Sequence, residues 1–191
     1  PARRNPLTAL RCSSRLTLGF PAELGVCDAL LRGMGERLIW WPRGIPSGEY
    51  LAIVSSRLGR RLDQQGDWFA ALRAACAAMD AQQSILVTTA KTTTSVYLER
   101  CSQLFQLPLL QFHLATERQT CETWFSTLMS NMPITDAGLH WPVSISPELL
   151  GDCPDNAAVT IPLRDRLTFA LSKKVIVLKM RPRGHMEQLV C

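Results

Sequence analysis

Leu51-Ala52-Ile53-Val54-Ser55-Ser56-Arg57 and Ser84-Ile85-Leu86-Val87-Thr88-Thr89-Ala90 decide the fold. Each is an apolar run that breaks into small hydroxylic residues at its C-terminal end. A buried parallel strand does this where it delivers a ligand loop in an open α/β sheet. A third stretch, Arg164-Asp165-Arg166 running into the apolar Leu167–Leu178, couples a charged triplet to a further strand. Together they predict an α/β fold with an open, mostly parallel sheet and helices on both faces. At its strand ends they place a polar, partly cationic crevice suited to a phosphate-bearing ligand.

Outward from these runs, apolar strands alternate with amphipathic helices of about ten to fifteen residues, the rhythm of βαβ units. Asp67 caps a predicted helix whose Trp68, Phe69, Leu72, Cys76 and Met79 fall on one stripe at helical period. Thr94 caps a second, with Val96, Tyr97, Cys101, Leu104 and Phe105 predicted to face the sheet; Pro108 closes it before a strand at Leu109–Leu114. A third helix is predicted over Cys121–Met132, its core face built from Trp124, Phe125, Leu128 and Met129. Residues 133–160 hold four prolines and two glycines, a long connection with a short strand near Val143–Ile145. Beyond it come a helix near Leu163–Leu171, a strand at Val175–Met180, a turn at Pro182-Arg183-Gly184 and a final strand at Met186–Val190. Upstream, Pro21–Leu31 reads as a short helix and Leu38–Trp41 as a short strand. Residues 1–20, with Arg3, Arg4, Arg11 and Arg15, read as an irregular Arg-rich segment before a single domain spanning residues 21–191.

Composition sets limits on the function class. A chain of 191 residues, 47% hydrophobic and 19% charged, has the make-up of one globular domain and buries roughly 70% of its unfolded surface. Twenty-one Lys and Arg against 16 Asp and Glu give a net charge of +5 and a pI near 9.0, which favours anionic partners without the charge density of a dedicated duplex binder. The seven cysteines are odd in number and widely spread, with no Cys-x-x-Cys and no histidine at zinc-ligand spacing, so reduced thiols and no metal are expected. No secretory h-region and no 18-residue apolar stretch occurs, which points to a cytoplasmic address and no membrane partner. A chain beginning at Pro1 is read as a processed product or as a portion of something longer.

The candidate ligand-binding residues follow from strand-end position. Ser55, Ser56 and Arg57 sit where the first long strand ends, and Arg57 can reach an anion as a bidentate donor. Gly59-Arg60-Arg61 adds charge close by. Thr88, Thr89, Lys91, Thr92 and Thr93 lie between a strand and the helix after it, where unpaired N–H groups and the positive end of the helix dipole make an anion site. Arg164 and Arg166 open a later helix, with Asp165 placed favourably on its dipole. Neither the dinucleotide glycine fingerprint nor the P-loop occurs, which disfavours a dehydrogenase or a Walker-type NTPase, and no cofactor is expected. For catalysis the inventory is thin: His113, His140 and His185 are isolated, and His113 inside a strand reads as a core residue rather than a base. Trp40, Trp41 and Trp141 flank prolines and read as packing rings rather than stacking platforms.

One ordered set of segments resembles the Rossmann-like domain of the DprA/Smf DNA-processing family and is similar to the wider superfamily that includes the LOG phosphoribohydrolases. The set is Phe20-Pro21-x-x-Leu24, Leu51–Arg57, Ser84–Ala90, Leu107–Phe112, Ile161-Pro162-x-Arg164-Asp165-Arg166 through Ser172, and Val175–Leu178. The resemblance implies a three-layer Rossmann-like fold with a nucleotide- or nucleic-acid-binding pocket at the strand C-termini. By position it matches Ser55, Ser56 and Arg57 to the family's Gly-Ser-Arg turn, Thr88 to Thr94 to its glycine-rich loop, and Arg164, Asp165 and Arg166 to its Arg-Asn-Arg triplet. Ser55 stands where the family has glycine, and the second loop has none of the family's glycines. The glutamate-bearing, glycine-rich motif of the LOG enzymes is also missing from the chain. The expected function is therefore non-catalytic binding of a nucleotide or similar phosphorylated ligand, with single-stranded DNA binding and nucleotide N-glycosidase activity as the alternatives.

Overall fold

The runs at Leu51–Val54, Ile85–Val87 and Leu109–Phe112 form the middle of a seven-stranded sheet in the computed structural model of the protein, which describes residues 16–58, 61, 64–116, 118–130, 138–149 and 160–190. The strands are β1 (Leu16–Leu18), β2 (Leu38–Trp40), β3 (Glu49–Ser55), β4 (Ser84–Thr89), β5 (Leu109–Leu114), β6 (His140–Ile145) and β7 (Lys174–Lys179), in the order β1-β2-β6-β5-β4-β3-β7. Strands β7, β3, β4, β5 and β6 pair in parallel, while β2 is antiparallel to both β6 and β1. The helices are α1 (Asp28–Leu31), α2 (Gly66–Ala77), α3 (Ser95–Phe105), α4 (Cys121–Ser130), α5 (Leu163–Ala170) and α6 (His185–Val190). The chain steps from β3 to β6 through α2, α3 and α4, then crosses back through α5 to lay β7 on the free side of β3. Such a reversal opens a crevice at the strand C-termini, the usual place for a ligand in an open α/β sheet.

The pleat sends alternate residues to opposite faces, and each face has its own core. On one, Ile53, Leu86 and Leu109 pack against Trp68, Leu72 and Cys76 of α2 and Leu98 and Cys101 of α3, and Leu38 and Trp40 pack against Trp124 and Phe125 of α4. On the other, Ile85, Val87, Leu110, Phe112, Val143 and Ile145 lie under Leu167 and Leu171 at α5, and Ala52 and Val54 under Phe169 and α6. Each of these large apolar side chains contributes about 1.5–3 kcal/mol by leaving water. The α/β class, the mostly parallel sheet and the helices on both faces are as the apolar runs predict. No helix among the described residues is long and apolar enough to cross a membrane.

The tryptophans of the core are packed rings. Trp41 meets Phe20 and Phe112 edge-on, with centroids 6.4 and 6.0 Å away, and Trp40 is 5% exposed. Trp141 lies under the Arg43 guanidinium, 4.4 Å from the ring centroid, a cation–π pair. Cys27, Cys76, Cys101 and Cys121 are free thiols, and burial between α2 and α3 pushes the Cys76 thiol up to about 12. The other three cysteines, Cys12, Cys153 and Cys191, lie outside the described residues.

Several elements differ from expectation for identifiable reasons. Pro21–Leu31 is a 3-10 turn at Ala22–Leu24 and the separate α1, because Gly25 turns left-handed (φ 57°) and closes the first turn onto the Ala22 carbonyl. Met186–Val190 is not a strand: it lies within α6, where Met186 and Leu189, three residues apart, pack on the Phe169 patch. Glu187 of that helix accepts the backbone N–H of Arg183. β7 is an edge strand of alternating exposure rather than a buried one. In α3 the buried face is Ser95, Leu98, Cys101 and Ser102, while Val96 and Leu104 point to solvent and Thr94 sits at the N-cap without a side-chain capping bond. The segment read as irregular supplies β1 at its end, and Arg3, Arg4, Arg11 and Arg15 lie outside the described residues.

Candidate functional site

The predicted residues of the first two stretches, Ser55, Ser56, Arg57, Thr88, Thr89, Lys91, Thr92 and Thr93, gather at the C-terminal ends of β3 and β4, but they divide into those that stitch the fold and those that face a cleft. At the end of β3 a bulge between Val54 and Ser55 turns the strand. Ser55 is buried; its hydroxyl accepts a hydrogen bond from Trp68 Nε1 (3.0 Å) and donates to the Ser56 carbonyl (2.9 Å). The Ser56 N–H donates to the Lys179 carbonyl at 2.8 Å, and its hydroxyl accepts from the Arg181 N–H at 2.9 Å. Both serines thus tie β3 to its neighbours, and Arg57, which follows, is exposed.

The loop from β4 to α3 is built the same way. Thr89 is fully buried, its hydroxyl 2.9 Å from that of Thr168 on α5, and the buried Thr88 hydroxyl lies 3.5 Å from that of Thr92. Thr92 donates through its hydroxyl to the Thr89 carbonyl at 2.9 Å, and Ser95 donates to the Thr92 carbonyl at 3.0 Å. These bonds hold the loop while Lys91 takes the left-handed conformation (φ 65°) and projects outward.

Between the two loops is a cleft of about 350 Å³ lined by Arg57, Leu58, Lys91, Thr92, Thr93 and Tyr97. Its two charged lining residues are both cationic, and among the described residues neither makes an ion pair. The N-terminus of the eleven-residue α3 begins four residues after Lys91, so the helix dipole adds positive potential. Tyr97 backs the cleft as part of an aromatic triad with Trp68 and Phe69, centroids 5.0–5.5 Å apart. Leu58 and Tyr97 form its apolar wall, and a ring in the first turn of the helix that follows a hydroxylic loop is the sequence signal that marks Tyr97. Cations, hydroxyls and one aromatic wall are the chemistry by which a cleft can receive an oxyanion with an attached organic group.

The third predicted stretch lies elsewhere. Arg166 departs from the expectation that it faces the crevice: it is 7% exposed, and its guanidinium donates to the carbonyls of Ile161 (3.1 Å), Leu30 (2.9 Å) and Arg32 (2.7 Å). It thereby satisfies the chain around the end of α1, and burial holds it below the usual arginine range. Arg164 does not line the cleft; its Nε is 3.8 Å from Asp165, which is in turn 3.7 Å from His185. His113, expected in the core, is exposed on the face that carries α3 and α4. Gly59 and Arg60 lie outside the described residues. No cluster of metal-ligating side chains occurs among those described.

No protein-family model matches the sequence, and no curated protein matches it either. Among solved structures, DNA processing protein A (DprA) from Streptococcus pneumoniae superposes with a TM-score of 0.52 at 11% sequence identity, over 98% of this chain. The fold resembles that of DprA. The chain spans 64% of the length of the DprA chain that it matches. At this identity the likeness is one of architecture, a Rossmann-like mixed sheet, and individual residues are argued from their own geometry.

Proposed function

We propose that the cleft between Arg57 and Lys91 binds the phosphate of a nucleotide or similar phosphorylated ligand. The observation that carries this reading is the convergence of two cations, the Thr93 side chain and a helix N-terminus on one cleft at the strand C-termini. Tyr97 and Leu58 supply the surface against which the organic part of the ligand rests. Calorimetry and thermal shift with a panel of ribonucleoside mono- and diphosphates test it. A ligand at 100 times its Kd stabilises by about 2.7 kcal/mol, and Arg57→Ala is expected to weaken binding about tenfold or more. No stabilisation by any member of the panel, or equal stabilisation of Arg57→Ala, refutes the reading.

Single-stranded DNA is the second reading, favoured by the fold shared with a protein named for DNA processing and by the arginines of residues 1–15. Salt separates the two. Binding to an oligonucleotide through several phosphates falls steeply between roughly 50 and 200 mM salt, whereas one phosphate in a cleft loses far less. A labelled oligonucleotide that fails to bind at low salt removes the second reading. Binding that disappears on deletion of residues 1–15 assigns it to that segment rather than to the cleft.

A further inference from the structure

A second concavity lies on the face covered by α3 and α4. The floor over β5 and β6 is polar in a place where a buried parallel strand is ordinarily apolar on both sides. Gln111, His113, His140 and Ser144 all point to this face, opposite Leu110, Phe112, Val143 and Ile145 in the core beneath α5. Gln111 bridges Glu99 of α3 and His140, whose Nε2 lies 3.0 Å from its Oε1, and this closes the end nearest α3. Further along, the floor opens into a trough of about 350 Å³ with His113, Pro142 and Ser144 at the base and Trp40, Trp124 and Leu128 among its walls.

Two polar groups at the base of this trough have unspent hydrogen-bonding capacity. Ser144 accepts from Trp124 Nε1 at 2.9 Å, which leaves its own O–H to donate. His113 makes no hydrogen bond or ion pair among the described residues and is the direct neighbour of Ser144 in the strand register. We infer that the trough is a binding site for a small, uncharged, planar heterocycle. Its ring lies between the tryptophan and leucine walls, and its polar edge meets His113 and Ser144. The volume is at the lower end of ligand pockets, roughly 300–1,000 Å³, and largely apolar walls with a few convergent polar groups are their usual make-up. Desolvation, His140 and Lys91 hold the His113 imidazole below its ordinary range against the opposing pull of Glu99. At neutral pH the ring is therefore uncharged, with one donor and one acceptor nitrogen to match the mixed edge of a heterocycle.

The site shares no lining residue with the Arg57–Lys91 cleft, so the two stand or fall separately. Saturation-transfer NMR with adenine, indole and benzene as probes, each to about 5 mM, gives the test. Adenine or indole is expected to bind at least tenfold more tightly than benzene. Thr127→Trp, on the exposed side of α4 beside the trough, fills it and is expected to abolish binding with an unchanged melting temperature. His113→Leu keeps the shape but is expected to erase the preference over benzene. Absence of binding by all three probes overturns the inference; so does benzene binding as tightly as the heterocycles, or unchanged heterocycle binding in both variants. Nucleotide binding at the other cleft, measured in the same variants, is expected to be unaffected.

Discussion

Over β3 and β4, Ile53 and Leu86 lie beneath Leu72 and Cys76 of α2 and Leu98 of α3, all buried; over β5 and β6, on the same face of the same sheet, stand Gln111, His113, His140 and Ser144. The difference follows the helices. Where α2 and α3 sit side by side they seal Ile53 and Leu86 beneath them; over β5 and β6, Glu99 of α3 reaches the buried Gln111, and past it the floor opens at His113 and Ser144. The opposite face shows no such split, since α5 and the segments around α1 lie over Ile85, Val87, Leu110, Phe112, Val143 and Ile145 in one core.

The sharpest way to break this comparison is to truncate one residue from each half. Leu98→Ala, fully buried in the sealed half, is expected to cost about 2–5 kcal/mol in urea denaturation, since it loses transfer energy and leaves a cavity. His113→Ala, in the open half, is expected to change stability by less than about 0.5 kcal/mol. Comparable losses at both sites would mean that the β5–β6 floor is a packed core after all.

Arg166→Met comes next in size. The substitution keeps much of the stem volume but removes the donors to the Ile161, Leu30 and Arg32 carbonyls, and a loss of about 1–3 kcal/mol is expected. Nucleotide affinity of the folded fraction should not change. A fall in affinity with little loss of stability would restore Arg166 to the ligand set.

These two positions also show what the sequence can and cannot disclose. β3 and β4 are legible because a strand buried on both faces reads as one apolar run, and Arg57 and Lys91 are legible because strand ends fix where loops lie. The role of Arg166 is not legible: its partners Leu30 and Arg32 are 136 and 134 residues away, and nothing local distinguishes a buried guanidinium from one at a crevice. The polar floor of β5 was present as a signal. Leu110-Gln111-Phe112-His113 alternates with period two, the pattern of a strand with one apolar and one polar face, and treating it as a single apolar run hides His113 in the core. α6 stays hidden because a six-residue helix gives too few turns for periodicity to show, and the cap that starts it joins Arg183 to Glu187 across a turn.

Acid gives a smaller, graded test of the open half. Desolvation holds both His113 and His140 below the ordinary histidine range, with His140 and Lys91 adding at His113 and Glu99 opposing at both. The unfolded chain therefore binds more protons than the folded one between the depressed values and about 6.5, so stability is full above that window and declines as the pH falls through it. Denaturant midpoints measured between about pH 7.5 and 5 should fall with acid, and His140→Gln should flatten the slope. A slope unaltered by that substitution would place the acid sensitivity elsewhere.

Lys91→Gly is expected to have the smallest effect on the fold and is the most discriminating for the cleft. Lys91 holds φ at 65°, a conformation that costs a side chain of ordinary chirality about 1 kcal/mol and costs glycine little. Relief of that strain is offset by the greater freedom glycine has in the unfolded chain, again about 0.5–1 kcal/mol, so the net change in stability should stay within about 0.5 kcal/mol. Nucleotide affinity, by contrast, should drop because one of the two cations facing the cleft is gone while the loop hydrogen bonds at Thr89, Thr92 and Ser95 remain. Thermal denaturation and calorimetry on the one variant separate the two quantities. Unchanged affinity beside unchanged stability would show that Lys91 takes its strained conformation for some purpose other than holding an anion.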